Sequence, residues 1–203
     1  MKQLTIFLIS LLSLCCLFSC SEKSDVEKKS DQVFKEENTI TLDNDSVIYD
    51  FFQNFNEAEL ENLKKVNTPW DKNICPIEFT EKGKHDGILQ LPITKINYSI
   101  NIGKEENQFL KFYYGFFPQS RKWNVSDGLR ALIICEGNSF VDTVFFAYVN
   151  PTDNFKKENI SLKKYANEKV KITFICNNDR GKNTNGDWLV WAYPRIVLEA
   201  NEK

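Results

Sequence analysis

Histidine is nearly absent from this chain: among 203 residues, only His85 is one. There is no Cys-x-x-Cys pair, so a structural zinc site or a dithiol redox site has no ligands to draw on. Gly-x-Ser-x-Gly and His-Glu-x-x-His are missing as well, which removes two common hydrolase signatures. Carboxylates are plentiful, but none forms an evident acid/base couple, and His85 in "GKHDG" reads as a turn residue. Basic excess is lacking too. The formal net charge is −2, which argues against a nucleic-acid partner. No catalytic residues and no bound metal are expected.

What the chain does have is aromatic and β-favouring residues. Hydrophobic residues make up 42% and aromatic residues 13%, enough for one packed core. Phe, Tyr, Ile, Val and Thr are common, with Asn and Asp clustered between apolar runs. That balance favours strands joined by turns.

The first twenty residues read MKQLTIFLISLLSLCCLFSC. Lys2 forms a positive start, and Leu4 to Leu17 is apolar but too short for a stable membrane span. Leu17-Phe18-Ser19-Cys20 resembles the bacterial lipobox, with Phe18 bulkier than the commonest residue there. The resemblance implies that 1–19 is a lipoprotein signal peptide and that Cys20 carries lipid. A plain secretory peptide is the alternative. Acyl chains contribute about 0.8 kcal/mol per buried methylene, so the expected partner is a membrane, held through a lipid anchor. Ser21 after Cys20 resembles outer-membrane rather than inner-membrane sorting within a bacterial cell envelope. Residues 20–45 are rich in charges of both signs and almost free of apolar groups, and read as a disordered tether. The globular domain is expected over 46–203.

Within that domain the apolar period is near two. Tyr98, Ile100 and Ile102 share a face, as do Leu110, Phe112, Tyr114 and Phe116, then Leu129, Ala131, Ile133 and Cys135, and Val170, Ile172, Phe174 and Cys176. Ile88–Ile93, Phe140–Val149 and Trp188–Leu198 supply further strands, the last bent by Pro194. Asp45–Asn54 reads as a short helix, with a strand over Val47–Phe52 as the alternative. Ala58–Val66 is ambiguous between helix and strand. The class is all-β: an antiparallel β-sandwich, with a short N-terminal helix.

"SDGLRALIICEGN" (Ser126–Asn138), "ISLKKYANEKVKITFIC" (Ile160–Cys176) and "DWLVWAYPRI" (Asp187–Ile196) resemble a bacterial jelly-roll, galactose-binding-like module of envelope and carbohydrate-active proteins. The resemblance spans roughly Phe109–Leu198, with a weaker echo in "VIYDFFQNFNEAEL". Asn167-Glu168 replaces the usual glycine turn. It implies a carbohydrate-binding-like sandwich whose partner is a glycan or an envelope protein. Such folds host many roles.

Asp127, Asp187, Trp188, Trp191 and Arg195 then read as a fold motif, with Arg195 placed to pair with Asp187 or Asp127 and the Asp127 carboxylate capping turn amides. A sugar-stacking role for the tryptophans is the alternative. Trp123, in the polar loop "PQSRKWN" beside Arg121, is the better ligand platform, since loops on rigid scaffolds commonly carry function. Asn178, Asp179 and Asn185 lie in a second polar loop. Its oxygens would suit a structural calcium, though no loop pattern defines a site, and no cofactor is expected. Past the signal peptide and Cys20, three cysteines remain: Cys75, Cys135 and Cys176. Cys135 and Cys176 point into the core by parity, either as a disulfide or as buried thiols. Three readings stand: a glycan-binding lipoprotein module, a lipoprotein acting through protein contacts, and, last, a hydrolase.

Overall fold

A computed structural model describes residues 40–63, 72–178 and 184–199. The signal peptide, Cys20, the tether up to residue 39, and Asp179 lie outside the described residues.

The described residues form eleven strands: β1 (Ser46–Asp50), β2 (Glu59–Glu61), β3 (Ile74–Thr80), β4 (Lys84–Gln90), β5 (Thr94–Asn101), β6 (Gln108–Phe116), β7 (Leu129–Glu136), β8 (Val141–Val149), β9 (Lys156–Ser161), β10 (Lys169–Asn178) and β11 (Leu189–Leu198). One sheet runs β3-β4-β11-β6-β9, with β1 also paired to β11, and the other runs β2-β5-β10-β7-β8. All pairings are antiparallel. Eight of these strands, β4-β11-β6-β9 over β5-β10-β7-β8, have jelly-roll order.

Of the two readings of Val47–Phe52, the strand forms, and the only helical turn in that region is the 3-10 turn Phe55–Glu57. Asp50 ends β1 by accepting from the amides of Phe52 and Gln53 at 2.9 and 3.0 Å. The Ile88–Ile93 run is not one strand. β4 stops at Gln90, and Ile93, at φ 64°, turns the chain into β5.

Residues 40–45, read as the end of the tether, lie against the sheet. Ile40 is buried, and Tyr113 Oη donates to the Thr41 carbonyl at 2.8 Å. Lys111 Nζ, itself half-buried, reaches Asp45 at 2.8 Å and Glu199 at 2.7 Å. One ammonium thus fastens both ends of the domain to β6. These pairings raise the Lys111 pKa against the burial that opposes them, and they hold Glu199 below the usual carboxylate range.

The main core lies between the sheets. Phe112, Phe174 and Trp191 pack edge to face there, with ring centroids 5.2–5.5 Å apart. A second apolar layer covers the outer face of the β11 sheet, where Ile40, Ile77, Phe79, Phe117 and Phe155 meet Trp188, Val190 and Ala192. Gly115 permits this cover, because a Cβ there would meet the Phe155 ring at 3.1 Å.

Candidate functional site

β11 answers to both layers. Leu189 and Trp191 enter the main core, while Trp188, Val190 and Ala192 enter the outer layer. Strict alternation would then turn Tyr193 inward. Instead Tyr193 takes φ 48°, the register shifts between Ala192 and Arg195, and its ring joins the outer layer. At this bulge β11 exchanges one neighbour for another: β4 pairs with Leu189–Ala192 and β1 with Arg195–Leu198, while the Pro194 carbonyl accepts from Phe51 N at 3.1 Å.

The loop leaving β6 and the chain entering β11 meet at one end of the sandwich. Phe117 N donates to the Trp188 carbonyl at 2.8 Å, which starts the one-turn helix α1 (Pro118–Arg121). The next residues bring Trp123 edge-on to Trp188, with centroids 4.7 Å apart and planes at 89°. Trp188 is buried, whereas Trp123 and Val125 are each 46% exposed. Gly186, at φ 77°, lets Val125 close down, since a Cβ there would lie 2.8 Å from the valine methyl.

Beneath this patch Ser126 Oγ donates to Asp187 Oδ1 and accepts from Gly128 N at 3.2 Å. The Ser-Asp-Gly and Asp-Trp segments are thereby joined through the serine hydroxyl. Asp127 is exposed, so the capping role expected of its carboxylate falls to Ser126. Asp187 is fully buried and its Oδ2 has no hydrogen-bond partner. Burial pushes its carboxyl up to about 6; the Ser126 hydrogen bond opposes the shift and the Asp127 charge adds to it.

The expected pairing of Arg195 with Asp187 or Asp127 does not form. Arg195 lies eight residues along the strand from Asp187, roughly 26 Å if extended, and its guanidinium sits 5.7 Å from the Tyr193 ring centroid. Arg121 is committed elsewhere too: Nη1 reaches Glu81 at 3.2 Å and the guanidinium lies over Phe155 at 5.3 Å, bracing the outer layer. Asn178 ends β10, with its carbonyl accepting from Arg130 Nε at 2.7 Å, and Asn185 is exposed in the turn before Asp187. The Cys135–Cys176 disulfide is absent. Register pairs Cys135 with Ile172 and Cys176 with Ala131, so both are buried free thiols. Four residues of offset is about 13 Å, beyond the ~7 Å a bridge tolerates.

Two features escaped the sequence reading. One is Val125, whose apolar side chain in a polar loop is its only signal. The other is a groove of about 390 Å³ beside α1, floored by Phe79 and Phe117 and rimmed by Glu78, Thr80, Gln119 and Lys122. It joins residues about 40 apart in sequence, so no local pattern announces it. Among the described residues, no group of three His, Cys, Asp or Glu side chains could hold a metal ion.

No protein-family model matches the sequence, and no curated protein does. Solved structures do resemble the fold. The CBM51-2 and INT domains of Clostridium perfringens ZmpB match with a TM-score of 0.48 at 14% identity, over 72% of this chain and 30% of that one. CBM51 from Clostridium perfringens GH95, in complex with methyl-galactose, matches with a TM-score of 0.45 at 12% identity, over 69% and 92%. TmCBM61, in complex with β-1,4-galactotriose, matches with a TM-score of 0.50 at 10% identity, over 74% and 94%. The chain thus spans under a third of the first of these and over nine-tenths of the other two. At 10% identity and a TM-score of 0.50, the likeness to TmCBM61 bears on the fold alone, an antiparallel β-sandwich.

Proposed function

We propose that this protein is a non-catalytic glycan-binding module, tethered to the bacterial envelope by lipid on Cys20. The observation that carries the reading is the half-exposed indole of Trp123, held edge-on by the buried Trp188. A sugar ring offers axial C–H groups to an aromatic face and hydroxyls to polar neighbours. A platform fixed from below loses little freedom on binding. Val125 widens the apolar surface. Arg121 is not part of this surface, because Glu81 and Phe155 occupy its charge. The galactotriose complex of a sandwich with this architecture makes a β-linked galactoside the first ligand to try.

The test is calorimetric titration of the full chain, in nonionic micelles, with β-1,4-galactotriose and a panel of other oligosaccharides. Saturable binding by wild type and its loss in Trp123→Ala are expected. Binding that survives Trp123→Ala would move the site elsewhere, and the absence of binding across the panel would remove the glycan reading. The anchor is tested separately. Cys20→Ala should abolish lipid attachment and leave the leader uncleaved, and an unchanged mature mass would overturn the anchor.

A further inference from the structure

A jelly roll exposes strand edges, and an open edge invites another strand to pair with it. Most edges here carry a device against that. β2 is three residues long and has Glu59 and Glu61. β9 carries Lys156, Lys157 and Glu158. β3 carries Pro76 and Glu78. β1 is interrupted by a bulge between Val47 and Tyr49.

β8, at the end of the second sheet, is protected only over its first half. There the register shifts opposite Ile133–Ile134, and Asp142 adds a charge paired with Lys164 at 2.8 Å. Beyond the shift, Phe145-Phe146-Ala147-Tyr148-Val149 has no charge, proline or glycine. Phe145 and Val149 are buried in the sandwich. Phe146 and Tyr148 stand on the outer face, 48% and 52% exposed, with their rings edge to face at 4.9 Å.

We propose that Phe145–Val149 is the pairing edge of a two-fold dimer, in which β8 of one copy runs antiparallel to β8 of a second and the sheet continues across both. A second copy fits this edge because an antiparallel pair of identical strands is itself two-fold symmetric, so one surface serves both partners. The segment carries no charge, so it meets itself without like-charge repulsion. Phe146 and Tyr148 of each copy then cover those of the other on the outer face. Five paired residues per copy make an interface smaller than the roughly 800 Å² per partner of a standard one, so a reversible, concentration-dependent dimer is expected.

The test uses the full chain in nonionic micelles, from about 1 to about 100 µM. Sedimentation should show monomer passing to dimer across that range. Amide exchange within Phe145–Val149 should slow as the dimer forms. Phe146→Lys/Tyr148→Lys should weaken dimerisation at least about tenfold, because the lysines face each other across the axis. Three results would overturn the proposal: wild type remaining monomeric, a dimer that leaves those amides unchanged, or a lysine variant that dimerises like wild type. The exchange readout on wild type decides the matter even where the variant does not fold.

Discussion

Trp191 donates its indole Nε1–H to Oε1 of Gln90 at 2.7 Å, with both side chains fully buried. Gln90 in turn donates Nε2 to the carbonyls of Thr94 at 2.9 Å and Phe174 at 3.2 Å. Gln90 and Trp191 belong to one sheet, and Thr94 and Phe174 to the other. A single amide therefore bolts the two layers together and gives the buried indole its acceptor. Gln90→Leu strands the indole donor and takes a partner from two carbonyls. The stranded indole alone costs about 1–3 kcal/mol and the two lost carbonyl bonds add to it, so urea unfolding should show a loss of at least about 2 kcal/mol.

Trp123 and Trp188 touch, yet their truncation should read differently. Trp188→Ala opens a void between Phe117 and β11. Losing a buried Trp costs about 3–5 kcal/mol, or roughly 10 °C in Tm for a domain of this size. Trp123→Ala removes a half-exposed ring and should shift Tm by no more than a few degrees. Thermal melts of the two variants check this. A large drop for Trp123→Ala would make it a core residue rather than a platform.

Asp187 should make the protein less stable as pH rises. Its carboxyl is raised by burial from 3.8 to about 6, so the folded state holds the proton more tightly than the unfolded chain does. The protonated form suits the fold below pH 3.8, and ionisation then costs stability as pH climbs to about 6. Asp187→Asn keeps an acceptor for Ser126 and removes the charge. Above pH 6 it should be more stable than wild type by up to about 3 kcal/mol, and the gap should close near pH 4. Melts across pH 4–8 measure this difference directly.

Cys135 and Cys176 are 1% and 0% exposed, and burial raises both thiols, Cys135 to about 12. Neither supplies appreciable thiolate at neutral pH. A bulky thiol reagent should label them only as the protein unfolds, and dithiothreitol should leave Tm unchanged. Rapid native labelling of either would contradict the register of β7 on β10.

The all-β class and most of the strands are legible in the sequence, because an apolar residue recurs at every second position through Tyr98–Ile102, Leu110–Phe116, Leu129–Cys135 and Val170–Cys176. β1 was one of two readings, since a stretch as short as Val47–Phe52 fits either period. The site was legible in part: Trp123 stands out as a lone aromatic in a polar loop, whereas the groove floored by Phe79 and Phe117 joins distant segments.

The residue pattern by itself determined the sandwich, the inward parity of its cysteines, and the placing of large side chains on both faces of the last strand, for these depend on a two-residue period that each segment carries alone. Tertiary structure decided what lies opposite each face. Register set Cys135 and Cys176 apart, the bulge at Tyr193-Pro194 turned Tyr193 outward, and Ser126 rather than Asp127 bound the two motifs together. Those outcomes depend on which strand lies beside which and where a ladder slips, and no local sequence pattern encodes either.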